Sequence, residues 1–163
     1  MIKYLGSKLK LLPHIVRSIS GLPVSNFVDL FSGTSRVGVA AKKNGFSVWS
    51  NDYSSYGYIL AKALVETDPS NVPEAQACID DLNSLSGVDG YFTETFCRKS
   101  RYLSVENGQK VDAMREKIVD WRLSPNLEAI LLTSLMIAAD KVDSTVGLQM
   151  AYLKSYAPRA LNP

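Results

Sequence analysis

FVDLFSGTSRVGV, residues 27–39, decides how this chain is read. An apolar run ends in a turn of small residues, and apolar residues then resume at helical spacing. Residues 26–31 (NFVDLF) and 46–51 (FSVWSN) are rich in β-branched and aromatic side chains and predict two short buried strands. Between them, SRVGVAAKKNG predicts a helix that carries Lys42 and Lys43 near its end and stops at Asn44-Gly45. Strand, turn, helix, turn and strand form a βαβ unit. Such a unit implies parallel strands, with a ligand at their carboxyl ends.

Working outward, Leu9, Leu12, Ile15, Val16 and Ile19 predict a first helix with one apolar face. After residue 52 the pattern turns helical. GYILAKALVE (57–66), VPEAQACIDDLNSL (72–85) and ENGQKVDAMREKIVDW (106–121) each predict a helix. Ser124-Pro125 predicts the cap and first position of another, apolar nearly all round and therefore buried. With only two evident strands and no helix or strand at its end, the chain reads as the front part of something longer.

Its 163 residues suit one domain with a real core, and 46% hydrophobic with 21% charged residues is ordinary globular composition. A net charge of +2 excludes nothing, so any basic surface must be argued locally. Cys78 and Cys97 lack metal-ligand spacing and read as buried or half-buried thiols. His14 has no acid or serine at suggestive spacing and reads as a plain helix residue. There is no signal peptide, and AILLTSLMIAA (129–139) is too short to cross a bilayer, so no membrane partner and a cytoplasmic location are expected.

The turn at Gly33 reads as a nucleotide-binding turn, against the plainer alternative of a strand-to-helix turn using glycine for backbone freedom. Asp52, 19 residues past Gly33, stands where a carboxylate can accept both ribose hydroxyls. In G-T-S-R-V-G, Ser35 occupies the place where a dinucleotide fold wants a bare glycine beside the pyrophosphate. S-adenosylmethionine has no pyrophosphate, so the residue types favour it over NAD. The Gly6-Ser7-Lys8 turn ahead of the first helix offers N–H groups and an ammonium suited to that cofactor's carboxylate.

KYLGSKLKLLPHI followed by FVDLFSGTSRVGVAAKKNGFSVWSND resembles the opening of Dam-type adenine-specific DNA methyltransferases, and the likeness continues through 91–121 and 139–163. The resemblance implies an α/β, Rossmann-like S-adenosylmethionine-dependent methyltransferase fold, with an incomplete parallel sheet and a mainly helical C-terminal half. Residues 1–66 would be the cofactor-binding βαβ core, and 67–163 a helical part of the DNA-recognition insertion. Tyr4 and Lys8 would contact the cofactor's methionine end. Phe31, Ser32, Gly33 and Thr34 would form the loop beneath it, Asp52 would take the ribose, and Tyr53 would pack on the adenine. Arg98, Lys99 and Arg101 beside Tyr102 would touch the phosphates of double-stranded DNA, where the bland reading is a solvated loop. Lys154, Tyr156 and Arg159 are a vaguer instance of the same pattern.

Two departures from the family stand out. Ser35 replaces the second loop glycine, and no Asp-Pro-Pro-Tyr tetrapeptide or close variant occurs. Catalytic residues are therefore expected in a missing C-terminal portion, the chain alone inactive, and the fragment prone to self-association. The competing readings are a non-catalytic truncated homologue that holds cofactor or DNA, and a NAD-dependent enzyme.

Overall fold

The computed structural model describes residues 8–147 and 151–162. The chain divides into two compact units between Asn71 and Val72.

In the first unit, a 3-10 turn (Leu9–Leu11) leads into helix α1 (Leu12–Ser20). Leu12, Ile15, Val16 and Ile19 are half-buried as their spacing requires, but Leu9 stays exposed. Strands β1 (Asn26–Asp29) and β2 (Ser47–Ser50) run parallel, with Asn26 opposite Ser47 and Asp29 opposite Ser50. Both are shorter than their apolar runs. Helix α2 (Arg36–Lys43) crosses between them, completing the expected βαβ unit. Gly38 lets α2 lie close to the sheet, because a Cβ there would stand 2.9 Å from Ser50 Oγ and 3.4 Å from Val48 Cγ1. Phe27 and Phe46 meet edge to face at 6.4 Å on the inner side. On the other face Val28 and Trp49, paired in register, are exposed. Helix α3 (Ser55–Ala61) follows and widens into a π-type turn (Lys62–Glu66), whose last carbonyls at Val65 and Thr67 accept from Lys42 Nζ.

The second unit is helical, as expected: α4 (Val72–Ser84), α5 (Val105–Asp120) and α6 (Pro125–Lys141). Ala75 and Leu82 of α4, Ile118 of α5, and Leu127 and Leu131 of α6 form its core, with Met114, Trp121 and Leu135 packed around them. Ser124 caps α6 by accepting from the Leu127 N–H, and Pro125 takes the first position. Two elements differ from the sequence reading. Residues Thr93–Arg98 form a π-type turn where no helical period was visible. The C-terminal stretch is not structureless, since Thr145 bridges Tyr152 and Pro158–Leu161 forms a 3-10 turn. That turn is tethered by Asn107 Nδ2, which donates to the carbonyls of Ala160 and Asn162. No helix among the described residues is long and apolar enough to cross a membrane.

Cys97 is buried and Cys78 half-buried, as the sequence implied. Burial pushes the Cys97 thiol up to about 11, which leaves it protonated and inert.

Candidate functional site

The carboxyl ends of β1 and β2 are joined by the chain itself. Asn51 N–H donates to Asp29 O at 2.8 Å, Ser32 N–H to Asn51 O at 2.9 Å, and Asn51 Nδ2 to Leu30 O at 2.9 Å. These bonds seat the turn directly over the strand ends. Gly33 (φ 50°) and Ser35 (φ 57°) are both left-handed, and Ser35 N–H closes the turn on Ser32 O at 2.7 Å. Glycine meets this backbone freely, whereas serine is strained there by roughly 1–2 kcal/mol.

Asp52 grips the turn from β2. Its Oδ2 accepts the Gly33 N–H at 2.7 Å, and its Oδ1 accepts Ser54 N–H at 3.0 Å and Ser54 Oγ at 2.9 Å. Bonds from Ser54 and Gly33 hold this carboxyl below its usual range, so it stays ionised and the grip is lost only in strong acid. A carboxylate has about four acceptor positions. With three filled, accepting both hydroxyls of a diol displaces one of the present donors. Ser54 also caps α3, taking the Gly57 N–H at 3.0 Å.

Gly57 is what lets α3 approach. A Cβ there would lie 2.6 Å from Asp52 Cγ and 2.8 Å from Oδ1. Gly57→Ala is therefore expected to lower stability by about 1–2 kcal/mol, although alanine is the better helix former. Urea unfolding is the check, and equal or higher stability would show that the Asp52 carboxylate moves aside freely.

Of the residues singled out by sequence, Ser32, Gly33, Thr34 and Asp52 come together at this turn. Phe31 (89% exposed) and Tyr53 (fully exposed) flank it as free aromatic surfaces. Lys8 is exposed, and its charge acts on Asp29. Tyr4, Gly6 and Ser7 lie outside the described residues. Ser35 is fully buried, so its side chain adds no bulk to the open side of the turn. Its placement gives no steric ground for preferring one cofactor over another. Ser54 and Gly57 were missed, although the Ser-Ser-Tyr-Gly sequence after Asp52 is itself a capping signal.

The second cluster is assembled differently from the expectation. Arg98 pairs with Asp89 at 2.8 Å and Glu94 at 3.8 Å, and Lys99 with Glu94 at 3.6 Å. Arg101 donates to the carbonyl of Lys154. Tyr102 packs edge to face between Phe96 at 6.3 Å and Tyr152 at 5.3 Å. Arg159 is bound to the buried Asp143 at 2.8 Å. These side chains have intramolecular partners, which the sequence could not display. No cluster of three metal-ligating side chains occurs among the described residues.

The model of the D12 class of N6 adenine-specific DNA methyltransferases matches residues 4–163. The chain is 33% identical to the type II methyltransferase M.NlaIII of Neisseria lactamica, over 99% of its own length and 52% of the relative's. It is 33% identical to the modification methylase StsI of Streptococcus sanguinis, covering 99% of itself and 27% of that protein. Type II methyltransferase M.CviAII of Paramecium bursaria Chlorella virus 1 is 31% identical over 98% of the chain and 52% of its own length. The chain thus spans about half or less of the curated relatives it matches. No solved structure shows a significant match.

Proposed function

The chain belongs to the D12 class of N6 adenine-specific DNA methyltransferases, and from that premise we propose that it is the S-adenosylmethionine-binding portion of a site-specific DNA adenine methyltransferase. The whole enzyme would move the methyl group to the exocyclic amino group of adenine, in the cytoplasm and commonly beside a restriction enzyme. One observation carries the reading: the Asp52 carboxylate, bonded to the Gly33 N–H, stands over the carboxyl ends of two parallel strands. Open α/β sheets take their ligands there.

In this reading the fold is the Rossmann-like one of such methyltransferases, with residues 1–66 as its cofactor core. The cofactor lies over Phe31, Ser32, Gly33 and Thr34. A ribose hydroxyl takes the acceptor position left on Asp52, Tyr53 offers a ring face to the adenine, and Tyr4 and Lys8 hold the carboxylate. When bound, S-adenosylmethionine supplies an electrophilic methyl group, and this chain's residues orient it. Residues 67–163 serve the DNA side. Arg98, Lys99 and Arg101 can exchange their exposed acidic partners for phosphates, since each such pair is worth only about 0–1 kcal/mol. Tyr102 anchors their backbone.

Asp52→Ala is expected to weaken S-adenosylmethionine binding by about 1–3 kcal/mol, roughly tenfold to a hundredfold. Titration calorimetry with S-adenosylmethionine and with NAD tests both residue and reading. Unchanged affinity in a folded variant removes Asp52 from the ribose site. Binding of NAD in preference to S-adenosylmethionine overturns the reading.

A further inference from the structure

Asp29 ends β1 opposite Ser50 and has no part in the reading above. Its carboxylate receives hydrogen bonds from the backbone N–H groups of Phe31 and Gly38. Phe31 leads into the turn, and Gly38 is the third residue of α2, on the far side of it. Helix α2 has no cap of the ordinary kind, because Ser35 at its N-cap is left-handed and makes no side-chain cap bond. An acid from the neighbouring strand end takes over that task. It does so in a tight space, where Asp29 Oδ2, Ser35 Oγ and Ser50 Oγ are all buried without a hydrogen-bond partner.

We propose that Asp29 is a positioning residue for the cofactor turn: one carboxylate grips both flanks, Phe31 and Gly38, while Asp52 holds the middle at Gly33. The proposal rests on the reading of this turn as the cofactor site. It has a charge signature. Burial is the main cause that lifts the Asp29 carboxyl above its usual range, its backbone bonds oppose this, the facing Asp52 adds to it, and Lys8 counters it. Protonation therefore arrives at a higher pH than for an ordinary aspartate, removing acceptor strength from the grip. Because the folded-state value is raised, protonating Asp29 does not weaken the fold; its contribution to stability is lost as pH rises, not as it falls. Cofactor affinity runs the opposite way and falls on acidification. A merely structural carboxylate would not separate these two slopes.

The experiment is calorimetric titration of the full chain with S-adenosylhomocysteine, alongside thermal melting, across a pH series. Wild-type affinity should weaken about threefold or more between about pH 7 and about pH 4.5, while the melting temperature does not fall in step. Asp52, whose carboxyl is held low, remains ionised over that window. Asp29→Asn should bind several-fold more weakly at neutral pH and lose the pH dependence. Wild-type affinity that is flat across the series overturns the proposal even if the variant fails to fold, and so does an Asp29→Asn profile that parallels the wild type. Absence of any wild-type binding at neutral pH overturns the reading of the turn and the proposal together.

Discussion

Assayed by itself, the 163-residue chain is expected to transfer no methyl group to adenine in DNA. The amino nitrogen of adenine is a poor nucleophile. Its methylation needs polar acceptors aimed at it and an aromatic ring to stack the flipped base. In the family this chain resembles, an Asp-Pro-Pro-Tyr-type tetrapeptide supplies both, and no such tetrapeptide occurs in the sequence. The described residues build the cofactor side of a site: a turn, two carboxylates and two free aromatic faces. The sheet points the same way. A parallel sheet normally has both faces covered, yet Val28 (52% exposed), Trp49 (74%) and Phe31 (89%) present apolar surface at β1 and β2. Open faces and unpaired strand edges promote association. The chain alone should therefore self-associate or melt without cooperativity, and a C-terminal portion supplied in trans should restore transfer. A radiolabelled methyl-transfer assay on mixed-sequence DNA decides the first point. Clear incorporation by this chain alone would place the catalytic groups among residues already present. A monomer in light scattering with a sharp melt would show that the helices after residue 55 close the core unaided.

The βαβ unit was legible because its signals are local. Strand residues alternate or cluster, Gly33 and Asn44-Gly45 punctuate them, and α2 keeps its period. The strand ends were overrun because Leu30 and Phe31 are apolar yet exposed, and an apolar residue looks the same on either side of a sheet's edge. Asp52 could be picked out by position, but its bond to Gly33 spans 19 residues and belongs to the folded chain. Asp29 was overlooked for the same reason: its capping of α2 is invisible until the strand end meets the helix. At Ser35 the residue type was read as bulk in the ligand's path, whereas the backbone turns its side chain inward. For Arg98 and Lys99 the sequence gave charge without pairing, although both acids, Asp89 and Glu94, stand nearby in the chain. The turn at Thr93–Arg98 has no sequence period, because an acid from α5 imposes it.

That acid is Asp112, and Asp112→Ala is expected to destabilise the helical unit by about 3 kcal/mol. Its Oδ1 accepts the Phe92 N–H at 3.0 Å, and its Oδ2 accepts the Thr93 N–H at 2.8 Å and Thr93 Oγ1 at 2.6 Å. These N–H groups open the π-type turn, and Phe92 at its N-cap has no side chain able to cap it. Two glycines admit the contact. A Cβ at Gly90 would stand 2.6 Å from Asp112 Cγ, and one at Gly108 would collide with Cys97 Sγ. Removing the carboxylate strands two N–H groups and a hydroxyl beside Thr93, which has no solvent exposure to offset the loss. Each buried orphan costs about 1–3 kcal/mol, and water reaching the half-buried Phe92 N–H trims the sum. Asp112→Asn keeps the shape but turns an amide donor toward other donors, so it should recover less than half. Trp121 lies against the core of this unit and reports its unfolding once the exposed Trp49 is replaced by phenylalanine. In that background the urea midpoint should fall by about 1.5 M for Asp112→Ala. A shift under about 0.5 kcal/mol would mean that Phe92, Phe96 and Cys97 hold the turn by apolar burial alone. In that case the turn's wide geometry would be set by side-chain packing, with the carboxylate following it.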